Sequence, residues 1–426
     1  MALEVNVLVF PAGTEIAFEI WNALKDNKII SIFGATSVPC HAEMVFKRCR
    51  TVPFVDAENF IEKMNEVIDE YDIDFVYPAH DSALYTLTME QDKLHAQVIT
   101  SSAETVRICR SKRETYNYLS TRGCDDFLPE TYSQRTVKYP CFIKPSVGQG
   151  SQGARVIHNN DELAEAMADG TDYVICEYLS GREVTVDCFT NRKGLLCYVG
   201  ARSRDRIRNG ISVRSETIDS ADFMQSAVWL NYYFNFNGAW FFQMKQDDDG
   251  NWKILEVAPR IAGTMGLTRN RGINMPLLTL YNHIGADVEI LDNEYDILVD
   301  RAFISRYKPD IKYHKVFVDF DDTLIVNGKV NPMLIAFLYQ AKNKGKRLFL
   351  LTRHDGDIFK RLSLYHIDVD LFESVISVNS GKKSDYIKED SIFIDDSFAE
   401  RKTVHNECKI PVFDVDMVES LLDWRV

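Results

Sequence analysis

The sequence predicts a multi-domain α/β protein, on three observations. Short apolar runs that read as strands alternate with amphipathic helical segments almost from end to end. In the middle of the chain this alternation gives way to strands in pairs, and near the end it returns. The 426 residues, at roughly 150 per domain, provide for two to four cores.

The first element is the strand Val5–Phe10, followed by a Pro-Ala-Gly turn and a helix from about Glu15. Strands Ile29–Phe33 and Phe75–Pro78 extend an open, Rossmann-like unit, assigned to residues 1–105. A helix over Ser111–Gly123 follows, with Gly123 as its stop. From Tyr139 the strands pair: Cys141–Lys144 with Arg155–Ile157, then Tyr173–Cys176 with Val184–Phe189. The stretch Phe223–Met244 carries no formal charge, but Gln225, Ser226, Asn231, Asn235, Asn237, Gly238 and Gln243 interrupt it. A membrane span needs about 20 mostly apolar residues, so this stretch reads as a buried helix followed by a strand. Residues 106–305 form the strand-rich second domain, and the charged, aperiodic segment Arg306–Tyr313, with Pro309, reads as a linker. Alternation then restarts with His314–Asp319, Asn331–Lys344, Arg347–Leu351, Ser391–Asp395 and Pro411–Asp414, a third domain over residues 312–426. Its helix Pro332–Lys344 has Asn331 at the N-cap, Pro332 at the first turn and Gly345 at the end, each a favoured position.

Composition narrows the function. A net charge of −14, from 49 basic and 63 acidic residues, argues against bulk nucleic-acid binding, which needs clustered cations. No basic region precedes the first apolar run and Pro11 breaks it, so neither a signal peptide nor a membrane partner is expected, and a cytoplasmic location is. None of the nine cysteines forms a CxxC pair, and Cys141, Cys176, Cys188 and Cys197 sit inside apolar runs. Free thiols in a reducing compartment are therefore expected, rather than disulfides or zinc ligands.

Two constellations carry chemistry. In the first, Lys144 ends a strand and a loop with Gly148, Gly150 and Gly153 follows. These glycines satisfy GxGxxG, but a strand rather than a helix comes next, so the loop reads as a hairpin tip rather than a dinucleotide turn. Backbone N–H groups at such a tip approach phosphate oxygens, and Lys144 adds a point charge. Glu177 and Glu183 flank the next turn, and Gln243 and Glu256 stand on strands that pair across the Asp247–Gly250 turn. Two oxygen ligands on paired strands suit Mg²⁺ completed by phosphates. Arg202, Arg204, Arg206, Arg208 and Arg214 crowd thirteen residues of an acidic chain, a pattern suited to an anionic substrate.

Over residues 1–300 this ordered set resembles the ATP-grasp superfamily, especially its carbamoyl-phosphate-synthase-like carboxylate–amine ligases. The resemblance implies ATP and Mg²⁺ as cofactors, with small-molecule carboxylate and amine substrates. It places Lys112 and Lys144 on the ATP phosphates and Gly148, Gly150, Ser151 and Gly153 in the loop that closes over them. Glu177 and Leu179 would run past the adenine, and Glu183 would take the ribose. Gln243 and Glu256 would hold the metal, Arg260 would stabilise the transferring group, and Arg202, Arg204 and Arg214 would meet the substrate. Where many members carry Asn two residues after the metal glutamate, this chain has Ala258, a form similar to the carboxyaminoimidazole ribonucleotide synthetase branch.

In the second constellation, one predicted strand ends in the run Asp319-Phe-Asp-Asp-Thr-Leu, a second ends at Thr352 and a third at Asp395-Asp396, with Lys382-Lys383 before the third. An EF-hand is excluded because Leu324 stands where a glycine is needed. The set resembles the haloacid dehalogenase (HAD) superfamily of phosphatases over residues 312–426. The resemblance implies a Rossmann-like domain acting on a phosphorylated substrate. Asp319 would be the nucleophile and Asp321 the acid/base. Thr352 and Lys383, or Lys382, would hold phosphoryl oxygens, and Asp319, Asp321, Asp395 and Asp396 would surround Mg²⁺. The intervals of 33 residues to Thr352 and 31 more to Lys383 leave little room for a cap domain.

The expectation is a bifunctional enzyme, ligase and phosphatase. Two alternatives stay open: an ATP-grasp phosphotransferase with an editing phosphatase, and a regulatory ATP-binding module attached to an active phosphatase. A homo-oligomer is compatible with the sequence.

Overall fold

Alternation of apolar strands with one-faced helices builds a five-stranded sheet at the amino end. Its strands are β1 (Val5–Phe10), β2 (Ile30–Thr36), β3 (Cys49–Thr51), β4 (Phe75–Pro78) and β5 (Gln97–Val98), in the order β3-β2-β1-β4-β5. Every pairing is parallel. Val7, Leu8 and Val9 are fully buried because helices cover both faces, as parallel sheets require. Helix α1 (Glu15–Leu24) starts where predicted, with the Thr14 hydroxyl accepting from the Ala17 N–H at 3.1 Å. The strand order reverses at β1, which opens a crevice between the ends of β1 and β4.

This computed structural model describes residues 4–148, 150, 152–208 and 210–425, and it divides into two units, 1–303 and 304–425. In the first unit, helices α2 (Phe60–Tyr71) and α3 (Asp81–Met89) belong to the parallel sheet, and α4 (Ala103–Arg110) and α5 (Lys112–Ser120) follow it. An antiparallel sheet of β6 (Thr131–Tyr132), β7 (Cys141–Pro145), β8 (Arg155–Ile157) and β9 (Tyr173–Glu177) runs in the order β6-β9-β7-β8, with α6 (Asn160–Met167) after β8. The predicted pairing of β7 with β8 is antiparallel, and β7 also pairs with β9. The larger sheet runs β12 (Arg206–Arg208), β13 (Ile211–Ile218), β11 (Leu196–Ser203), β10 (Glu183–Thr190), β14 (Gly238–Gln246), β15 (Trp252–Ala258), with β16 (Leu298–Asp300) on β13. The expected pairing of the 173–176 strand with the 184–189 strand does not form: β9 pairs with β6 and β7, while β10 lies between β11 and β14. Sequence adjacency favoured a hairpin, but the two strands enter different sheets.

The charge-free stretch forms helix α7 (Met224–Tyr233) and then β14. The helix is not buried all round: Ser226, Ala227 and Leu230 face the core, whereas Tyr232 is 80% exposed and Met224 and Val228 are exposed beside it. Its uncharged outer face misled the sequence reading. Two short helices, α8 (Gly266–Asn270) and α9 (Met275–Ile284), close the unit. No described helix is long and apolar enough to cross a membrane.

The second unit is a parallel sheet in the order β21 (Ser374–Ser377), β20 (Arg347–Thr352), β17 (Lys315–Val318), β22 (Ser391–Ile394), β23 (Val412–Phe413). Residues 304–313 have no regular structure. Helix α10 (Pro332–Asn343) begins with the Asn331 side chain accepting from the N–H groups of Met333 and Leu334 at 3.1 and 3.2 Å. It ends before Gly345, whose φ of 72° is the left-handed conformation that glycine adopts freely. Between Asp319 and Thr352 lie only α10 and a hairpin of β18 (Ile325–Val326) and β19 (Lys329–Val330). Between Thr352 and Lys383 lie α11 (Ile358–Leu364), a short helical turn and β21, a strand the sequence reading did not include. Helix α12 (Phe398–Cys408) follows β22.

Leu350 is fully buried in the core beneath this sheet. Leu350→Ala is expected to cost about 2–5 kcal/mol. Urea unfolding of the full chain should show one transition moving to lower denaturant while the transition of the first unit stays in place.

Candidate active sites in the two units

In the first unit, the antiparallel register decides which side chains meet. Thr185 on β10 is opposite both Arg202 on β11 and Gln243 on β14, and Gln243 is opposite Glu256 on β15. Residues directly opposed on antiparallel strands share a face, so Arg202, Thr185, Gln243 and Glu256 form one row. The row before it on β10 holds Glu183, and the row after it holds Asp187 with Phe241 and Ala258. Neither Gln243 nor Glu256 has a side-chain hydrogen bond among the described residues.

Lys144 is buried at the end of β7, with its Nζ donating to the Tyr116 hydroxyl at 2.6 Å and to the Leu255 carbonyl at 3.1 Å. Both acceptors are neutral, and burial pushes the ammonium pKa down. Lys112 opens α5, and burial lowers its pKa too, against the pull of Glu256. A buried and a half-buried cation without a bonded carboxylate suit an anion. Both lysines line a cavity of about 190 Å³ together with Gly148, Gly150, Glu177, Leu179, Glu183, Gln243 and Glu256. Gly153 is outside it, in the turn beside Pro145, and Ser151 lies outside the described residues.

A second cavity of about 360 Å³ shares Arg204, Gln243 and Glu256 with the first and is also lined by Arg202 and Arg260. The arginines are largely engaged. Arg260 grips both oxygens of Asp81 at 2.6 and 2.7 Å and donates to the Ile261 carbonyl. That pairing holds the Asp81 carboxyl down at about 2, against the burial that raises it. Arg204 donates to Glu183 at 2.6 Å, so the predicted ribose acid is shared with a predicted substrate arginine. Arg202 pairs with buried Asp187 at 2.8 and 3.2 Å. Arg214 lines neither cavity; it pairs with Asp300 at 3.0 Å where β13 meets β16, which removes it from the expected substrate set. Asp81, Tyr116 and Asp187 escaped the sequence reading. Asp187 had a signal, a lone charge within an apolar strand, whereas Asp81 looked like an ordinary first-turn helix acid.

In the second unit, Thr352, Asp319 and Asp395 follow or end the adjacent strands β20, β17 and β22 on one edge of the sheet. Lys383 is 2% exposed, and its Nζ donates to Asp319 Oδ1 at 2.8 Å and to Asp395 Oδ2 at 2.6 Å. Lys382 points away to Glu407, so the geometry selects Lys383 from the pair. Carboxylate oxygens of Asp319, Asp395 and Asp396 lie within 4.8 Å of one another, a hard-oxygen donor set that fits Mg²⁺. Burial, then the neighbouring Asp319, pushes the Asp395 carboxyl up from 3.8 to about 6. Burial raises Asp319 as well, opposed by Lys383. Asp321 is outside this cluster: it is half exposed, and its Oδ2 lies 2.7 Å from His354 Nδ1. His354 is unforeseen from sequence, although it comes just two residues after Thr352. The Thr323 hydroxyl fixes the backbone N–H of Asp396 at 3.0 Å.

The class that these features define for the first unit is the ATP-grasp fold. Residues 169–301 match the model of a family described as "ATP-grasp in the biosynthetic pathway with Ter operon". Among curated proteins, the carbamoyl phosphate synthase large chain of Clostridium beijerinckii is 23% identical over 251 residues, 52% of this chain. The chain spans only 23% of the length of that relative. Among solved structures, biotin carboxylase from Campylobacter jejuni aligns over 68% of this chain and 73% of its own, with a TM-score of 0.57 at 15% identity. The ADP complex of N5-carboxyaminoimidazole synthetase from Staphylococcus aureus aligns over 67% and 79%, with a TM-score of 0.56 at 12% identity. At these identities the likeness is one of fold.

Lys383→Met leaves two buried carboxylates facing each other, at a cost of about 3–5 kcal/mol near neutral pH. Because Asp395 is raised in the folded state, its contribution to stability is fullest below 3.8 and is lost as pH rises through about 6. The deficit of the variant should therefore be smaller at pH 5 than at pH 8 in thermal unfolding, and Mg²⁺ should reduce it.

Proposed function

We propose that the first unit is an ATP-dependent carboxylate–amine ligase and the second a Mg²⁺-dependent phosphomonoesterase. For the ligase, the carrying observation is the cavity that joins buried Lys144 and half-buried Lys112, neither bonded to a carboxylate, to the opposed Gln243–Glu256 pair. Lys144 and Lys112 suit the phosphates of ATP, the turn from Glu177 to Leu179 suits the adenine, and Glu183 suits the ribose. Gln243 and Glu256 suit Mg²⁺, which would neutralise phosphate charge. A substrate carboxylate oxygen attacks the γ-phosphorus, and the bond to the bridging oxygen breaks to release ADP. The amine nitrogen then attacks the acyl phosphate, phosphate leaves, and the nitrogen loses a proton. The side chains act by positioning and charge neutralisation. The ADP complex of the synthetase from Staphylococcus aureus, similar in fold, supports the nucleotide.

For the phosphatase, the support is the Lys383 bridge between Asp319 and Asp395 at adjoining strand ends. Asp319 attacks phosphorus, and the leaving oxygen takes a proton from Asp321. Water then attacks the aspartyl phosphate as Asp321 takes the proton back. Mg²⁺ on Asp319, Asp395 and Asp396 would shield the anionic nucleophile from the anionic phosphate. Fusion of the two units supports consecutive steps on one small molecule. A cytoplasmic location is consistent with nine free cysteines.

A second reading is favoured by Ala258 and by the hold of Asp81 on Arg260: ATP binding without ligation, regulating the phosphatase. ADP formation by the full chain with Mg²⁺, across paired acids and amines with product masses recorded, separates the readings. The ligase yields ADP and a condensed mass only with a productive pair; the regulatory reading yields neither. Lys144→Met and Glu256→Gln should each lower ADP formation by about 100-fold. Asp319→Asn should abolish p-nitrophenyl phosphate hydrolysis and leave ADP formation within about twofold. Equal loss of both activities would refute the division of labour.

A further inference from the structure

The 360 Å³ cavity lies at the reversal point of the parallel sheet. Thr14, Glu15 and Ile16 line it just after β1, and His80 and Asp81 just after β4. Open α/β sheets bind ligands in this crevice. Its opposite wall includes Arg202, Gln243 and Glu256, the row set by the larger sheet.

Arg202 is 2% exposed. Its Nε and Nη2 hold Asp187, whose Oδ2 also accepts from Thr268 at 3.1 Å. Its Nη1 is buried and bonded to no acceptor among the described residues. Arg301 shows the same pattern, with Nη1 buried and unbonded. A side chain built at Gly263, another lining residue, would begin 3.6 Å from Arg301 Nη1, so this guanidinium reaches the same wall. Burial pushes the Arg301 pKa down, against the pull of Glu15 and Glu19, and the Arg202 charge adds a smaller push.

The carboxylates nearby do not answer them. Asp187 is shared as described, Asp81 is gripped by Arg260, and Glu19 accepts from Arg269 at 2.7 Å. Glu15, exposed at the rim, and Glu19 both attract Arg301, yet neither bonds its Nη1. A buried guanidinium N–H without an acceptor has lost its bonds to water with nothing in return. An oxyanion accepting from either Nη1 removes that cost with a charge-assisted bond.

We propose that Arg202 and Arg301 form an anion subsite for a second, non-reacting carboxylate or phosphate of the acid substrate. As a substrate subsite it rests on the ligase reading. The anion is not the reacting one, because the reacting carboxylate meets the γ-phosphoryl beside Gln243 and Glu256. Arg202 stands two strands from Gln243, about 10 Å backbone to backbone at the usual strand spacing. The substrate class is therefore a dicarboxylic acid or a phosphorylated acid, activated at the end away from these arginines.

The test uses the full chain with ADP and Mg²⁺ filling the nucleotide pocket. Calorimetry with succinate, inorganic phosphate and butyrate should show binding of succinate or phosphate, and butyrate at least about tenfold weaker. Arg301→Gln should weaken the favoured anion by about tenfold. Arg202→Lys, which can still pair with Asp187 but has no Nη1, should do the same while thermal unfolding shows a folded chain. Succinate binding assigns the carboxylate form, and phosphate binding alone assigns the phosphorylated form. In turnover, each dianionic acid should exceed its half-amide or dephospho counterpart in kcat/KM, and Arg301→Gln should erase that preference. Equal binding of butyrate, or an Arg301→Gln variant that binds like wild type, overturns the subsite. Arg301-dependent anion binding without ADP release from any acid–amine pair defeats the ligase reading and keeps the subsite. ADP release with equal preference for monoanionic acids does the reverse.

Discussion

The in-register pairing of β11, β10, β14 and β15 is the constraint on which the rest of the first unit depends. Because side chains alternate with a period of two, that pairing brings Arg202, Thr185, Gln243 and Glu256 to one face and sends Val184, Val186, Trp240, Phe242 and Met244 to the other. A slip of one residue in β14 would bury Gln243 in an apolar core and expose two aromatics to the cavity. The irregularity between Gln243 and Met244 follows directly on the Gln243–Glu256 pair, so the register is kept where the polar row needs it and released just beyond.

The two units handle buried cations in opposite ways. Lys383 is closed by two carboxylates of its own chain, and these in turn are kept from repelling each other by the lysine. Lys144 has only a phenol and a carbonyl, acceptors that satisfy its hydrogen-bonding geometry without cancelling its charge. In the first arrangement the cation is already paired within the chain and negative charge is in excess. The second is held ready for an anion by Tyr116, which anchors the lysine to the far strand through Ile254 and Leu255.

The arginine-rich segment shows how far composition reaches. Five arginines in thirteen residues correctly marked a place where charge collects. The carboxylates that pair with four of them come from elsewhere: Glu183 and Asp187 from the neighbouring strand, Asp300 from nearly a hundred residues on. The useful quantity is the number of N–H groups left over after pairing, and that depends on which strands become neighbours. Helix α7 makes the same point from the apolar side, since a segment without charge can still turn half its surface to solvent.

Local signals determined the elements. The start of α1 near Glu15, the cap at Asn331, the stop at Gly345, the apolar runs of β1, β4, β7 and β17 and the acids following β17 and β22 were all readable, because each is settled by a few adjacent residues. The order of lysine, glycine loop, acids and the paired Gln243 and Glu256 was readable for the same reason. Tertiary structure alone decided that β9 and β10 enter separate sheets, that Lys383 rather than Lys382 turns inward, that Asp81 holds Arg260, and that Arg301 comes to the Gly263 wall of the cavity that Arg202 lines. Those outcomes join residues tens to hundreds of positions apart. They are set by strand registry and by the cost of burying charge without a partner, neither of which has a local trace in the chain.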